Sequence, residues 1–123
     1  MEGEIMTCAN KWTIWRKLAE DDEYFEVDYH RPACYQLAIG GSRGGNIRIK
    51  YVGYSGDLKA RMRSYGNHGS NIAGEIDHAI EEGDSIFYRY KKCTTENQAW
   101  ECEQRQLNRL KRSRGFMWNR DWP

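Results

Sequence analysis

The stretch from Tyr51 to Tyr65 constrains the fold most, because it reads as a strand that passes into a short helix within a few residues. On the predicted helix, Leu58, Met62 and Tyr65 fall at i, i+4 and i+7 and form an apolar stripe. Arg61 lies on the same face. A guanidinium turned inward is costly unless a carboxylate, a phosphate or an open cleft meets it. A functional interpretation can therefore begin at this arginine.

The stretch before it predicts a β-hairpin. Apolar residues recur at every second position in residues 33–39 and again in 47–53, a period that is typical of strands. The glycine-rich residues 40–46 between them have turn chemistry. A phosphate-binding loop is the alternative for these glycines, but such a loop needs a following helix and here a strand follows.

The second half of the chain predicts a helix, a strand and a long helix. Ile72, Ile76 and Ile80 share one face of a helix over residues 71–82. A strand follows at 85–91, and Thr95 with Gln98 forms a capping box for a helix to about residue 111. The order ββααβα predicts an α+β fold, in which helices flank a small three-stranded sheet that contains an antiparallel hairpin.

Residues 1–32 differ from the rest in charge. They carry eight Asp and Glu against four Lys and Arg, whereas residues 33–123 carry ten against fifteen. We interpret 1–32 as an acidic, aromatic extension that packs on a basic domain at 33–123. A short amphipathic helix is predicted over residues 10–20, because its tryptophans recur at helical spacing.

The basic residues concentrate towards the C-terminus, which suits a polyanionic partner. On charge alone, a solvated helix face is the stronger explanation. Two tryptophans accompany these basic residues, and packing of the tail is favoured for them over base stacking. The residues in question are Arg105, Arg109, Lys111, Arg112, Arg114 and Arg120, with Trp118 and Trp122.

Composition narrows the class of protein. The chain of 123 residues fits one domain. It has neither an apolar run of membrane-spanning length nor a signal-peptide pattern, so we expect an intracellular protein without a membrane partner. The four cysteines lack Cys-x-x-Cys pairing, and we expect reduced, mostly buried thiols rather than a zinc site.

A second charge falls on an apolar helical stripe. Glu103 lies four residues before Leu107 in the long C-terminal helix. Together with Arg61 it forms either a buried structural ion pair or part of an active site. Tyr35 and Tyr51, on apolar strand faces, can direct hydroxyls to the same place, which favours the active site.

These residues resemble the GIY-YIG nuclease superfamily. The resemblance covers roughly residues 33–119 and is carried by Ala33-Cys34-Tyr35, by the run Tyr51-Val52-Gly53, by Arg61 ten residues after Tyr51, and by Glu103 in an Ala-x-x-x-Glu-x-x-x-Leu helix. It implies the fold of that superfamily and a DNA endonuclease that hydrolyses phosphodiester bonds by water attack. Of the first triad only the tyrosine is kept, and the insert between the triads is longer than is common.

The resemblance also implies roles. Tyr35 orients or deprotonates the attacking water, and Tyr51 does the same or binds the phosphate. Arg61 binds the scissile phosphate, and Glu103 holds one divalent cation, Mg²⁺ or Mn²⁺. Tyr65 occupies a position that is histidine or tyrosine in the family.

Further residues complete the predicted site. The candidates for contacts to DNA are Lys50, Lys59, Arg63, Arg105, Arg109, Arg112 and Asn119. Some members of the family have a lysine where this chain has Tyr54, which leaves the general base open among Lys50, Lys59, His68 and the metal. An inactive module that binds nucleic acid or a protein is the alternative function. With no separate recognition module, a homodimer or a recruiting protein is an open route to specificity.

Overall fold

A computed structural model describes residues 8–18, 29–41, 46–66 and 71–123. The fold is α+β, as predicted. None of the helices in these ranges is long and apolar enough to cross a membrane. The elements are β1 (Arg16–Lys17), β2 (Ala33–Gly40), β3 (Arg48–Ser55), α1 (Leu58–Gly66), α2 (Ala73–Glu81), β4 (Ser85–Lys92), α3 (Glu96–Arg109) and a 3₁₀ helix (Lys111–Phe116).

The sheet has four antiparallel strands in the order β1-β4-β2-β3. β2 is central, pairs on both sides and is buried along its whole length, which explains why all its residues except Gln36 are apolar, aromatic or small. Three strands were predicted, and the fourth, β1, comes from the N-terminal extension. β3 is an edge strand of the sheet. Side chains that extend over β3 from β2 therefore lie at the edge of the sheet.

The helix predicted over residues 10–20 is wrong for the described residues 10–18, which run extended beside β4. Thr13 N–H donates to the Tyr90 carbonyl at 3.0 Å, and Leu18 N–H donates to the Ile86 carbonyl at 2.8 Å. The segment is rich in aromatic and β-branched residues, and the open edge of β4 offers backbone partners that local helical spacing cannot reveal. The acidic segment 20–28 lies outside the described residues, as do 42–45 and 67–70.

The two faces of the sheet bury different side chains because successive strand residues point to opposite sides. On one face, which we call the tyrosine face, α1 and α2 cover a cluster that includes Tyr35, Leu58, Met62, Tyr65, Ile72 and Ile76. On the other face, which we call the cysteine face, α3 packs against the sheet, and the cluster there consists of Cys8, Cys34, Val52, Cys93, Ala99, Cys102 and Leu107. Neighbouring residues such as Cys34 and Tyr35 therefore belong to different clusters.

The cysteine prediction is half correct. Cys34 and Cys102 are free and buried, as expected. Cys8 and Cys93 instead form a disulfide across 85 residues of sequence. The extended path of the leader along β4 brings these two cysteines together, and the predicted helix would not have done so.

The C-terminal tail closes the edge of β3. Trp118 N–H donates to the Lys50 carbonyl at 2.6 Å. The Asn119 amide brackets Val52: its Oδ1 accepts from Val52 N–H at 2.9 Å, and its Nδ2 donates to the Val52 carbonyl at 2.8 Å. Trp118 packs on the tyrosine face and Trp122 on the cysteine face. The tail thus satisfies backbone groups of an edge strand, and the tryptophans pack as expected.

Candidate active site

Three tyrosines meet on the tyrosine face. The ring centroids of Tyr35 and Tyr65 lie 6.0 Å apart and those of Tyr51 and Tyr65 lie 6.3 Å apart, both in edge-to-face arrangements. The hydroxyls of Tyr35 and Tyr65 are 2.6 Å apart and share a hydrogen bond. The cluster therefore gathers polar atoms inside an otherwise apolar core, where they must satisfy one another.

Gly53 explains how the Tyr35 ring fits. It pairs directly with Tyr35 in the β2–β3 ladder. A Cβ atom at position 53 would overlap Cζ and the hydroxyl of Tyr35. The absence of a side chain at Gly53 therefore lets the phenol cross over β3 towards the sheet edge.

Arg61 joins this cluster from α1. The residue is exposed overall, yet its guanidinium interacts with the Tyr35 and Tyr65 hydroxyls. Burial lowers the pKa of Arg61, but the two phenols outweigh that effect and raise it. The inward-facing arginine is thus met by phenol oxygens, while the side chain keeps access to solvent and to an anion.

Glu103 approaches from α3. The helix begins as predicted: the Thr95 side chain accepts from Gln98 N–H at 3.1 Å. The Glu103 carboxylate is half-buried and accepts from Gln104 Nε2 at 3.0 Å. Burial raises the pKa of Glu103, while the Gln104 hydrogen bond and the charge of Arg61 partly offset that rise.

Arg61 and Glu103 are close enough to act on each other but do not form an ion pair. Among the described side chains, the salt bridges within 4.0 Å do not include this pair. The buried structural ion pair considered from the sequence is therefore absent. The negative charge of Glu103 also raises the pKa of Tyr51. The carboxylate on α3 is therefore close enough to the tyrosine cluster to affect it electrostatically.

None of the three tyrosines is suited to act as a general base at neutral pH. Burial is the largest cause that raises the pKa of Tyr35, Tyr51 and Tyr65, and neighbouring phenols raise the first two further. A phenol that loses its proton less easily than usual acts as a hydrogen-bond donor at neutral pH. Proton removal from a nucleophile at this site needs another group.

The described residues contain no group of three or more His, Cys, Asp or Glu side chains that could hold a metal. The donor predicted from the sequence is one carboxylate, Glu103. Mg²⁺ commonly takes one or two protein carboxylates and fills its remaining positions with water and phosphate oxygens. A half-buried carboxylate that forms no ion pair within 4.0 Å with another described residue suits that donor set.

The residues predicted to contact DNA separate into two groups. Arg105, Arg109 and Arg112 are exposed on α3 and the turn after it, and Arg63 is exposed on α1. Lys50 and Lys59 are half-buried, and both amide atoms of Asn119 are engaged with Val52. His68 lies outside the described residues.

The sequence did not reveal Gln104 as the partner of the Glu103 carboxylate. Adjacent helical residues point in different directions, so spacing gives no signal for such a contact. No protein-family model, curated protein or solved structure matches this chain. The geometry of Tyr35, Tyr51, Arg61, Tyr65 and Glu103 is therefore the basis for a functional hypothesis.

Proposed function

We propose that this protein is a metal-dependent DNA endonuclease of the GIY-YIG type, which hydrolyses phosphodiester bonds by water attack. The observation that carries the proposal is the meeting of an accessible guanidinium, three phenol groups and a half-buried carboxylate at one edge of the sheet. The guanidinium and the accessible Tyr51 phenol supply donors for phosphate oxygens, and the carboxylate supplies a cation site.

Arg61 is the phosphate-binding residue in this proposal. Its planar donors suit a phosphodiester, and the Tyr35 and Tyr65 hydroxyls fix its orientation. The guanidinium stabilises negative charge that develops on the phosphoryl oxygens in the transition state. Tyr35 is fully buried, so it acts as a positioning residue.

Tyr51 is the most accessible of the three phenols. The charge of Glu103 raises its pKa, which indicates that the two side chains are close. Its raised pKa makes it a hydrogen-bond donor that orients the attacking water or a phosphate oxygen. Glu103, oriented by Gln104, holds the divalent cation. When bound there, Mg²⁺ or Mn²⁺ supplies Lewis acidity and lowers the pKa of water.

The alternative, an inactive module that binds nucleic acid or a protein, is favoured by two observations. Burial raises the pKa of all three tyrosines, and Tyr54, at the position of the family's lysine, packs on the cysteine face instead. The described residues of the cluster therefore offer no strong base. The two functions differ in whether phosphodiester bonds break.

Plasmid nicking with Mg²⁺ or Mn²⁺, and with EDTA as a control, tests the proposal. We expect Arg61→Ala and Glu103→Gln to slow nicking by roughly a hundredfold or more. Arg31→Ala and Glu81→Gln, which remove the same charges at exposed positions elsewhere, should nick like the wild type. Wild-type protein that binds DNA but nicks none of its forms with either metal would leave the inactive module as the function.

A further inference from the structure

A shallow groove lies where β3 ends and α3 begins. Its volume is about 480 Å³, and it is lined by Tyr54, Glu96, Asn97 and Trp100. Trp100 is 44% exposed, although a tryptophan normally buries most of its surface. Tyr54 is half-buried against the cysteine face, which fixes the other aromatic wall.

Glu103 of the candidate active site lies on the same face of α3 as two residues that line the groove. Glu96, Trp100 and Glu103 fall at i, i+4 and i+7 on α3 and therefore share one face of the helix. Trp100 lies about 4.5 Å along the helix axis from Glu103, at a rise of 1.5 Å per residue. In the proposed function a phosphate binds near Arg61 and Glu103, which leaves Trp100 less than one helical turn from that phosphate.

The chemistry of the groove selects among ligands. Among the described residues, its lining includes one carboxylate and one amide but no lysine or arginine, so a phosphate is disfavoured there. The Glu96 carboxylate extends over Gly56, where even a Cβ atom would overlap it. Flat aromatic walls with an acceptor at the rim suit a ligand that has a π-face and N–H donors.

We propose that this groove binds a nucleobase of the substrate strand next to the scissile phosphate, with the base stacked on Trp100 and its amino group donating to Glu96. This inference rests on the proposed nuclease function. The charge along α3 supports it: Glu96 and Glu101 stand in the first half, and both arginines of the helix, Arg105 and Arg109, stand in the second half beyond Glu103. The acidic first half of α3 suits contact with a base, whereas the arginines of the second half suit contact with phosphates.

Binding to fluorescein-labelled single-stranded DNA octamers, measured by anisotropy in EDTA, tests the groove without cleavage. We expect Trp100→Ala to weaken binding by roughly five- to a hundredfold. The salt dependence should stay that of the wild type, because stacking releases no counterions. Phe116→Ala, which removes a more exposed aromatic ring outside the groove, should bind within about twofold of the wild type.

Base identity provides the second readout. Wild-type protein should prefer octamers of cytosine or adenine, which carry amino groups, over thymine, and Glu96→Ala, which removes the acceptor, should remove that preference. Wild-type affinity in Trp100→Ala, or an absence of octamer binding by the wild type, overturns the groove proposal. Normal octamer binding without metal-dependent nicking overturns the nuclease function instead and leaves the base-binding groove standing.

Discussion

The tyrosine face and the cysteine face are built from alternate residues of the same strands, yet they bury different chemistry. The tyrosine face encloses hydroxyls that depend on one another and on Arg61. The cysteine face encloses thiols, a disulfide and aliphatic side chains. Buried polar groups are costly unless they are fully paired, whereas apolar groups and a cross-link stabilise directly. Both faces bury aliphatic side chains, so the comparison assigns the cross-link to the cysteine face and the chemistry mainly to the tyrosine face.

The disulfide is expected to have the largest effect on stability. Replacement of Cys8 and Cys93 together by alanine should lower the free energy of unfolding by about 2 to 4 kcal/mol, because the cross-link closes a long loop in the unfolded chain. Urea denaturation with and without a thiol reductant measures this effect.

The double variant should be insensitive to the reductant, and the reduced wild type should match it. Nicking by the oxidised wild type and by the double variant should agree at temperatures where both are folded. A large loss of nicking in the folded double variant would show that the cysteine face also controls the chemistry.

Substitutions at the neighbouring positions Gly53 and Val52 test the two faces separately, because Gly53 lies against Tyr35 and Val52 packs on the cysteine face. Gly53→Ala places a methyl group against the Tyr35 ring and should cost about 1 to 3 kcal/mol of stability. It should also slow nicking by about a hundredfold, because small displacements at a reacting site are costly. Val52→Ala opens a cavity on the cysteine face and should lower stability by a similar amount with little change in nicking.

Thermal unfolding and plasmid nicking separate these two results. Equal nicking by folded Gly53→Ala and Val52→Ala would remove the special role of the tyrosine face.

The main elements could be predicted from the sequence where local signals agree with tertiary packing. The apolar stripe of α1 and the Thr95 cap of α3 are local features, and both are present. The path of residues 8–18 could not be predicted, because it depends on the open edge of β4, which is far away in sequence. The Cys8–Cys93 disulfide was missed for the same reason.

The candidate site follows the same division. The stripe on α1 placed Arg61 beside Tyr65, and the stripe on α3 turned Glu103 towards the core. Which groups satisfy these charges could not be predicted, because phenol and amide partners are set by side-chain packing across elements. Asn119 shows the limit clearly: its role at the edge of β3 depends on the course of the tail and not on any spacing.

The Tyr35 hydroxyl gives a smaller test of the tyrosine face. Tyr35→Phe leaves the buried Tyr65 hydroxyl without its 2.6 Å partner and should cost about 1 to 3 kcal/mol of stability. Nicking should fall by about tenfold, since Arg61 also loses one of its orienting phenols. Tyr90→Phe is the matched control, because Tyr90 stacks on Tyr29 and Tyr88 in the same core. Identical behaviour of the two variants in chemical denaturation and nicking would contradict the network.

The smallest expected effect on stability concerns Glu103, and its sign is opposite to that of the others. Burial raises the pKa of Glu103 in the folded protein, so the folded state holds this proton more tightly than the unfolded state. Its contribution to stability is therefore fully present below the ordinary carboxyl pKa and is lost as pH rises through the raised pKa. Glu103→Gln removes the charge and should increase stability near pH 7 by at most about 1 kcal/mol, because water still reaches part of the carboxylate.

The gain should vanish in acid below the ordinary carboxyl pKa, where the wild-type carboxyl is already neutral. Urea midpoints of the wild type and Glu103→Gln at several pH values measure it, with Glu81→Gln as the exposed control. Stabilisation of Glu103→Gln together with loss of nicking would mean that the chain keeps an unfavourable charge because the chemistry needs it. A loss of stability at pH 7 would instead make Glu103 a structural residue and would weaken the division between the two faces.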